Sequence, residues 1–376
     1  MRVAKLACLL TLFAGLAAAA CDTPAPDPVV SIPLPDHPFG VVPSTDGCWL
    51  FVSLPTGSIS VLHRDNGRVE IARTQRIEGR PTGIVLTHDG KTLIVAGGPR
   101  VLFLDVARLI AGKGNPTVAS TSDGEKASSV YVNVTADDKT LFVSDEAAQT
   151  ITVVDLEHDR KIIGTIPVGR APIALTFSKD EKYLYTTSQV APPDWNWPKA
   201  CKPEVGNPAI AEIKNPEGAV IVVDVARAKT DPAHSIVSRA PAACSPVRIA
   251  MSPPGDRIYV TARNSNALLV FDTAKLVSDP EHARLKMAPV GTAPVPVAVV
   301  NGGKTVIVGN SNRFDADQSK PQVLDVFHAD QLTVSGHIPA GAFPREMRLS
   351  PDGNTLFLTN FSSSSLQIID LKRSIP

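Results

Sequence analysis

The chain lacks the short motifs by which hydrolases, metalloproteases and nucleotide-binding enzymes are usually read. It holds no Gly-x-Ser-x-Gly elbow, no His-Glu-x-x-His helix, no Cys-x-x-Cys pair and no Gly-rich phosphate loop. No catalytic residue, metal ligand or cofactor site is therefore assigned. Charge of one sign is missing too, since 37 basic side chains face 37 acidic ones. That balance leaves no basic footprint for holding nucleic acid. The one sustained apolar run, Leu6 to Ala20, is too short to span a bilayer as a helix.

What the chain does have is repetition. Seven times a phase-marking turn residue follows, at a spacing of eight, a position that is proline in all copies but one. The turn residues are Asp46, Asp89, Asp137, Asp180, Pro254, Gly302 and Asp352, and the leading positions are Pro38, Pro81, Ser129, Pro172, Pro246, Pro294 and Pro344. The third and fifth residues after each leading position are almost all apolar, as in Ile84 with Leu86 and Leu175 with Phe177. A period of two predicts a strand with one packed side.

Asp-Gly, Asp-Asp, Asp-Glu, Pro-Gly and Gly-Gly turns then reverse the chain, because Gly and Asx residues accept left-handed backbone angles. A second strand follows, such as Leu141-Phe142-Val143, and then a third ending in Asp, such as Ile151 to Asp155 or Leu268 to Asp272. Weaker fourth strands read Lys161 to Val168 and Thr333 to Ala340. Four antiparallel strands per unit, repeated seven times, predict an all-β, seven-bladed propeller over residues 29–376. The last unit ends at Leu371 without its outer strand, while Val29 to Leu34 resembles that missing strand. The N-terminal segment is expected to complete the final blade and close the ring.

The second strands and their exits, Tyr259-Val260-Thr261-Ala262, Phe357-Leu358-Thr359-Asn360 and Phe142-Val143-Ser144-Asp145, resemble the YVTN repeats of bacterial β-propellers. The likeness runs from 29 to 371 and specifies fold far more than function. Propellers of this kind include surface proteins, nucleic-acid-contacting propellers and lactonase-like enzymes, and the resemblance implies each as an alternative. The Trp-Asp mark of WD40 blades is absent, and Gly-His occurs once, at Gly336-His337, without repeating.

Arg2 and Lys5, the apolar run and Ala18-Ala19-Ala20 before Cys21 read as an export signal over residues 1–20. Without Arg2 and Lys5 the basic count falls to 35 against 37 acidic groups. A Pro-rich tether, residues 21–28, follows with little capacity to pack. A cysteine at that junction resembles a lipoprotein, so lipidation of Cys21 and anchoring to a membrane of the bacterial envelope are expected, with cleavage after Ala20 and no lipid as the alternative. Export allows a disulfide. With Cys21 lipidated, Cys201 and Cys244 form the expected pair, and Cys48 is a buried free thiol.

Two blades are interrupted between their second and third strands, at 189–217 in blade four and 309–321 in blade six. Both extensions are expected on the rim where the proline-bearing links enter, crowding one mouth of the central channel, and loops on a rigid scaffold commonly carry binding. The first holds Trp195 and Trp197, whose rings are read either as a stacking surface for a sugar or partner or as a private core under a long loop. The second alternates oxygen-bearing residues from Asn310 to Gln318, without the Gly and terminal Glu of an EF-hand, and is read as a solvated loop.

Positions two and four after each leading residue face the channel and are mostly small. Tyr131 and Asn133 are larger, and the charged members are Arg248, Glu346 and Arg348, with Arg345 adjacent. These charges are read as a site for an anionic group or as mutually neutralising ion pairs. Histidines are dispersed, and His63 and His328 stand where other blades have the third-strand Asp. The sequence thus points to a non-enzymatic binding or scaffolding propeller whose protein or small-molecule partner meets the channel mouth.

Overall fold

In the computed structural model the described residues are 21, 23–122, 124, 127–202, 214–315 and 317–375, so the expected export signal lies outside them. They form seven four-stranded antiparallel sheets and one two-stranded ribbon, Lys199–Cys201 with Asn215–Pro216. The innermost strands are Val41–Pro43, Ile84–Leu86, Ser129–Val134, Arg170–Phe177, Pro246–Met251, Pro294–Val300 and Pro344–Leu349. Each lies beside the next, and the last lies against the first, so the sheets form a closed seven-bladed ring.

The apolar triplets of the second strands follow from this stacking. Leu141 and Val143 pack toward the second blade with Ile94 and Phe103, while Phe142 packs toward the fourth with Leu184 and Ile221. A blade is buried on both faces, so its central strands read as continuous apolar runs where a half-exposed sheet would alternate. The marker residues cap the hairpins. The Thr87 hydroxyl donates to Asp89 Oδ1 at 2.7 Å and the Ser178 hydroxyl to Asp180 Oδ1 at 2.6 Å. The Lys91 backbone N–H, and then the Thr87 hydroxyl, hold the Asp89 carboxyl below its usual range.

The Asp that ends the third strand has a role the repeat did not reveal. Asp105, Asp224 and Asp272 accept from the backbone N–H of Arg108, Arg227 and Lys275, capping the short helices Val106–Ala111, Val225–Ala228 and Thr273–Ser278. These helices are too brief for a 3.6-residue period to appear in the sequence.

Val29–Pro33 pairs antiparallel with Ser365–Asp370, from Val29 opposite Ile369 to Pro33 opposite Ser365. It supplies the fourth strand of blade seven. The hairpin turns between first and second strands lie on one rim, and the proline-bearing links lie on the other. The chain therefore enters blade seven from the hairpin rim.

Two expectations for the N-terminus are corrected here. The segment ahead of Val29 is not a free tether, because Arg373 donates to the carbonyl oxygens of Ala25 at 2.6 Å, Pro26 at 3.0 Å and Asp27 at 3.2 Å. That course carries Cys21 to the first hairpin of blade one, where its sulfur is bonded to Cys48. A sulfur in a disulfide carries no thioether, so neither the lipidated Cys21 nor the free Cys48 thiol describes this structure. Cys201 is bonded to Cys244, joining the blade-four insertion to the entry of blade five. Among the described residues no helix is long and apolar enough to cross a membrane.

Gly83 marks the tightest approach between inner strands. A Cβ there would lie 2.6 Å from the Val130 carbonyl oxygen and 2.7 Å from Tyr131 Cδ1. The backbone cannot yield as a flexible side-chain end would, so Gly83→Ala should cost about 2–3 kcal/mol. Chemical denaturation of the two proteins measures this difference; equal midpoints and slopes would contradict it.

Candidate functional site: the channel mouth

Five innermost strands shift register just after they begin, between Ser129 and Tyr131, Pro172 and Leu175, Pro246 and Arg248, Pro294 and Val297, and Pro344 and Glu346. A bulge sets two residues opposite one and re-aims their side chains. As a result, residues directly after the leading position reach toward the channel axis, where strict alternation would turn them into the sheet. Phe39 of blade one, Val130 and Tyr131 of blade three and Ile173 of blade four form one buried cluster. Blades one and three are not neighbours, so this cluster spans the channel.

The residues in that position around the ring are Phe39, Thr82, Val130, Ile173, Val247, Val295 and Arg345. Arg345 is the one charged member. Reading the sequence by alternation alone passed over this ring, although the proline phase identifies each member.

Below this collar Glu346 gathers donors from three blades. The Tyr131 hydroxyl donates to Glu346 Oε2 at 3.1 Å and Arg248 Nε donates to the same oxygen at 3.2 Å. A second Arg248 nitrogen lies 3.1 Å from that oxygen, at ion-pair distance though without hydrogen-bond alignment. Arg348 Nη1 lies 3.0 Å from Oε1. Glu346 is 3% exposed and Arg248 9%. Burial lowers the Arg248 guanidinium to about 10 against the support of Glu346, so it stays charged at neutral pH. Its Cζ lies 4.1 Å from the Tyr131 ring centre.

Blades three, five and seven are thus tied to one another across the axis. Of the two readings of Arg248, Glu346 and Arg348, the geometry favours the ion pair. Both carboxylate oxygens of Glu346 are engaged by cations, so Glu346 itself is not free to act as a base.

Arg345 differs. Its Cζ lies 4.0 Å from the Phe39 ring centre and 5.7 Å from that of Phe343, and its buried Nε has no hydrogen-bond acceptor. Burial, then the like charge of Arg263, lowers it to about 10. Glu346 and Glu146 act on it at longer range, but no carboxylate among the described residues forms an ion pair with it. Arg263, 5% exposed, donates to Gln189 Oε1 at 2.6 Å on the same rim. The mouth therefore sets the Arg345 guanidinium beside two aromatic rings.

The tryptophans are not part of this arrangement. Trp195 and Trp197 meet edge to face at 5.2 Å and pack, half-buried, against the core between blades three and four, whose buried members include Ile166 of the outermost strand of blade three and Ile221 of blade four. Arg239, also on an outermost strand, covers Trp195 at 4.3 Å. The blade-four insertion springs from the expected rim, but its indoles find their apolar cover between blades three and four. In the blade-six insertion Asn312 Nδ2 donates to Asp315, and Asn310 Nδ2 donates to Asp325 of the third strand, while the buried Asn310 Oδ1 has no hydrogen-bond partner. Among the described residues no group of three His, Cys, Asp or Glu side chains is placed to hold a metal ion.

The fold and the plugged mouth define a seven-bladed β-propeller with a side-chain floor across its channel. Solved structures of similar shape include hydrazine synthase of Kuenenia stuttgartiensis, with a TM-score of 0.67, 17% identity and coverage of 91% of this chain and 97% of that one. Another is the β-propeller domain of Cps50 (Swd1) from Myceliophteria thermophila, with a TM-score of 0.66, 13% identity and coverage of 91% and 98%. At such identities the likeness is one of fold alone. No protein-family model matches the chain.

Antigen Lp49 of Leptospira interrogans serogroup Icterohaemorrhagiae serovar copenhageni (strain Fiocruz L1-130) is 34% identical over 140 residues, 34% of this chain and 28% of that protein. The chain thus spans little more than a quarter of that relative's length. Two disulfides suit an oxidising compartment and so an exported protein.

Proposed function

We propose that this protein is a non-enzymatic binding propeller of the bacterial envelope, in which Arg345 receives an anionic group from a partner at the channel mouth. The reading rests chiefly on one feature: a charged, recessed guanidinium held by aromatic faces, with an acceptorless Nε and no ion-pair partner among the described residues. A guanidinium in that state has already lost much of its hydration, so an incoming carboxylate regains hydrogen bonds at little further desolvation cost. The Glu346 cluster beneath holds the floor rigid. The YVTN-like second strands and the partial match to an antigen named Lp49 support an envelope setting.

Citrate serves as a defined carboxylate probe. At about 10 mM citrate, with ionic strength matched by sodium chloride, the melting temperature of the wild type should rise by a few degrees. Arg345→Gln should fold normally by near-UV circular dichroism and bind citrate at least about tenfold more weakly. An unshifted wild type, or an equal shift in both proteins, would remove Arg345 as an anion receptor.

A further inference from the structure

A cavity of about 510 Å³ opens on the same rim, outside the channel, between the end of blade three and the blade-four insertion. That volume lies in the range of roughly 300–1,000 Å³ usual for small-ligand pockets. Arg170, Lys199 and Lys214 line it, and among the described residues no carboxylate does. Among the described residues none of these three cations has an ion-pair partner, in contrast to Arg248 and Arg348 at the channel. Three unneutralised positive charges converging on a concave surface repel one another, a cost that an anionic ligand would relieve.

The remaining lining narrows the chemistry. Gln149, Asn196 and Asn215 bring primary amides, each with a donor and an acceptor that match adjacent ring hydroxyls. Trp197 brings an indole whose position is fixed by its edge-to-face contact with Trp195. An indole face beside amides suits the apolar face of a pyranose ring.

The wall is also stiffened. Pro192, Pro193 and Pro216 line it, Lys199 pairs with Pro216 in the short ribbon, and the adjoining pair of Cys201 and Asn215 is joined to blade five by the Cys201–Cys244 bond. A preformed wall loses little conformational freedom on binding.

We infer that this cavity is a binding site for an acidic saccharide, with the carboxylates of uronic acid residues on Arg170, Lys199 and Lys214, hydroxyls on the amides and one sugar ring against Trp197. It does not depend on the channel mouth. A nucleotide is the competing ligand class, with its base on the indole and its phosphates on the cations, but the three amides fit the hydroxyl-dense ring better.

Trigalacturonic acid is the probe, its methyl ester the neutral control and AMP the competitor, all followed by tryptophan fluorescence and calorimetry. The acid should bind and change the emission, while the ester should bind at least about tenfold more weakly. Lys199→Gln combined with Lys214→Gln should weaken the acid by about tenfold or more without changing the melting temperature. Arg345→Gln should leave this binding unaltered, which separates failure of this site from failure of the channel-mouth reading. No response to the acid up to about 10 mM, equal binding of acid and ester, or preference for AMP would overturn the assignment.

Discussion

Deletion of residues 1–34 is expected to abolish cooperative folding of the remaining chain. The cut removes the whole Val29–Pro33 ladder on Ser365–Asp370 and the buried Leu34, and it breaks the Cys21–Cys48 bond. Loss of a buried leucine costs about 2–5 kcal/mol. A disulfide that closes a loop of this size contributes roughly 3–4 kcal/mol in the chain-entropy description. Together these approach the entire stability of an ordinary domain, about 5–15 kcal/mol.

The deletion also leaves Ser365–Asp370 as an unpaired edge, so the truncated chain should self-associate. Size-exclusion chromatography and thermal denaturation read both effects, and a synthetic peptide of residues 21–34 should restore part of the transition. A truncated monomer that melts within a few degrees of the intact chain would show that ring closure contributes little.

Glu346→Ala should be the most damaging single substitution at the channel. It leaves Arg248 buried without its counter-charge and strips Tyr131 of its acceptor, so blades three, five and seven lose their common tie. Removing one partner of a buried pair costs about 3–5 kcal/mol, mostly through the stranded charge. The double variant Glu346→Leu with Arg248→Met should recover most of that loss, because neither charge then remains to be desolvated. Denaturant titration of the singles and the double completes the cycle. A cost below about 1 kcal/mol for Glu346→Ala would mean that water reaches the pair and screens it.

The ring was legible because its causes are local and repeated. Prolines that begin inner strands, Asx turns eight residues later and apolar triplets that face two neighbours each leave a period in the sequence. The channel was only partly legible. Arg248, Glu346 and Arg348 stood out as charges in a small-residue ring, but the bulge that turns Arg345 toward the axis leaves no compositional mark. Tyr131 stood at one of the same channel-facing positions, but its partner could not be read: its hydroxyl meets a residue 215 positions away, and blade number alone says nothing about which side chains are long enough to cross.

The N-terminus misled most. A cysteine after a small-residue run suggested a lipid attachment, whereas Arg373, outside every repeat, collects the carbonyls that carry Cys21 to its disulfide partner. The seating of the tryptophans likewise reflects the apolar core between blades three and four, a property of the assembled ring.

Because the polypeptide comes into the disc beside the Asp46 hairpin while the insertions rise from the reverse side, the molecule has a back and a front. Anything joined ahead of Cys21, whether a fusion partner, a tag or a solid support, meets the back. Arg345 and the lysine-lined cavity then look out into solution, so an array of such discs fixed by their leading ends would present one uniform binding face.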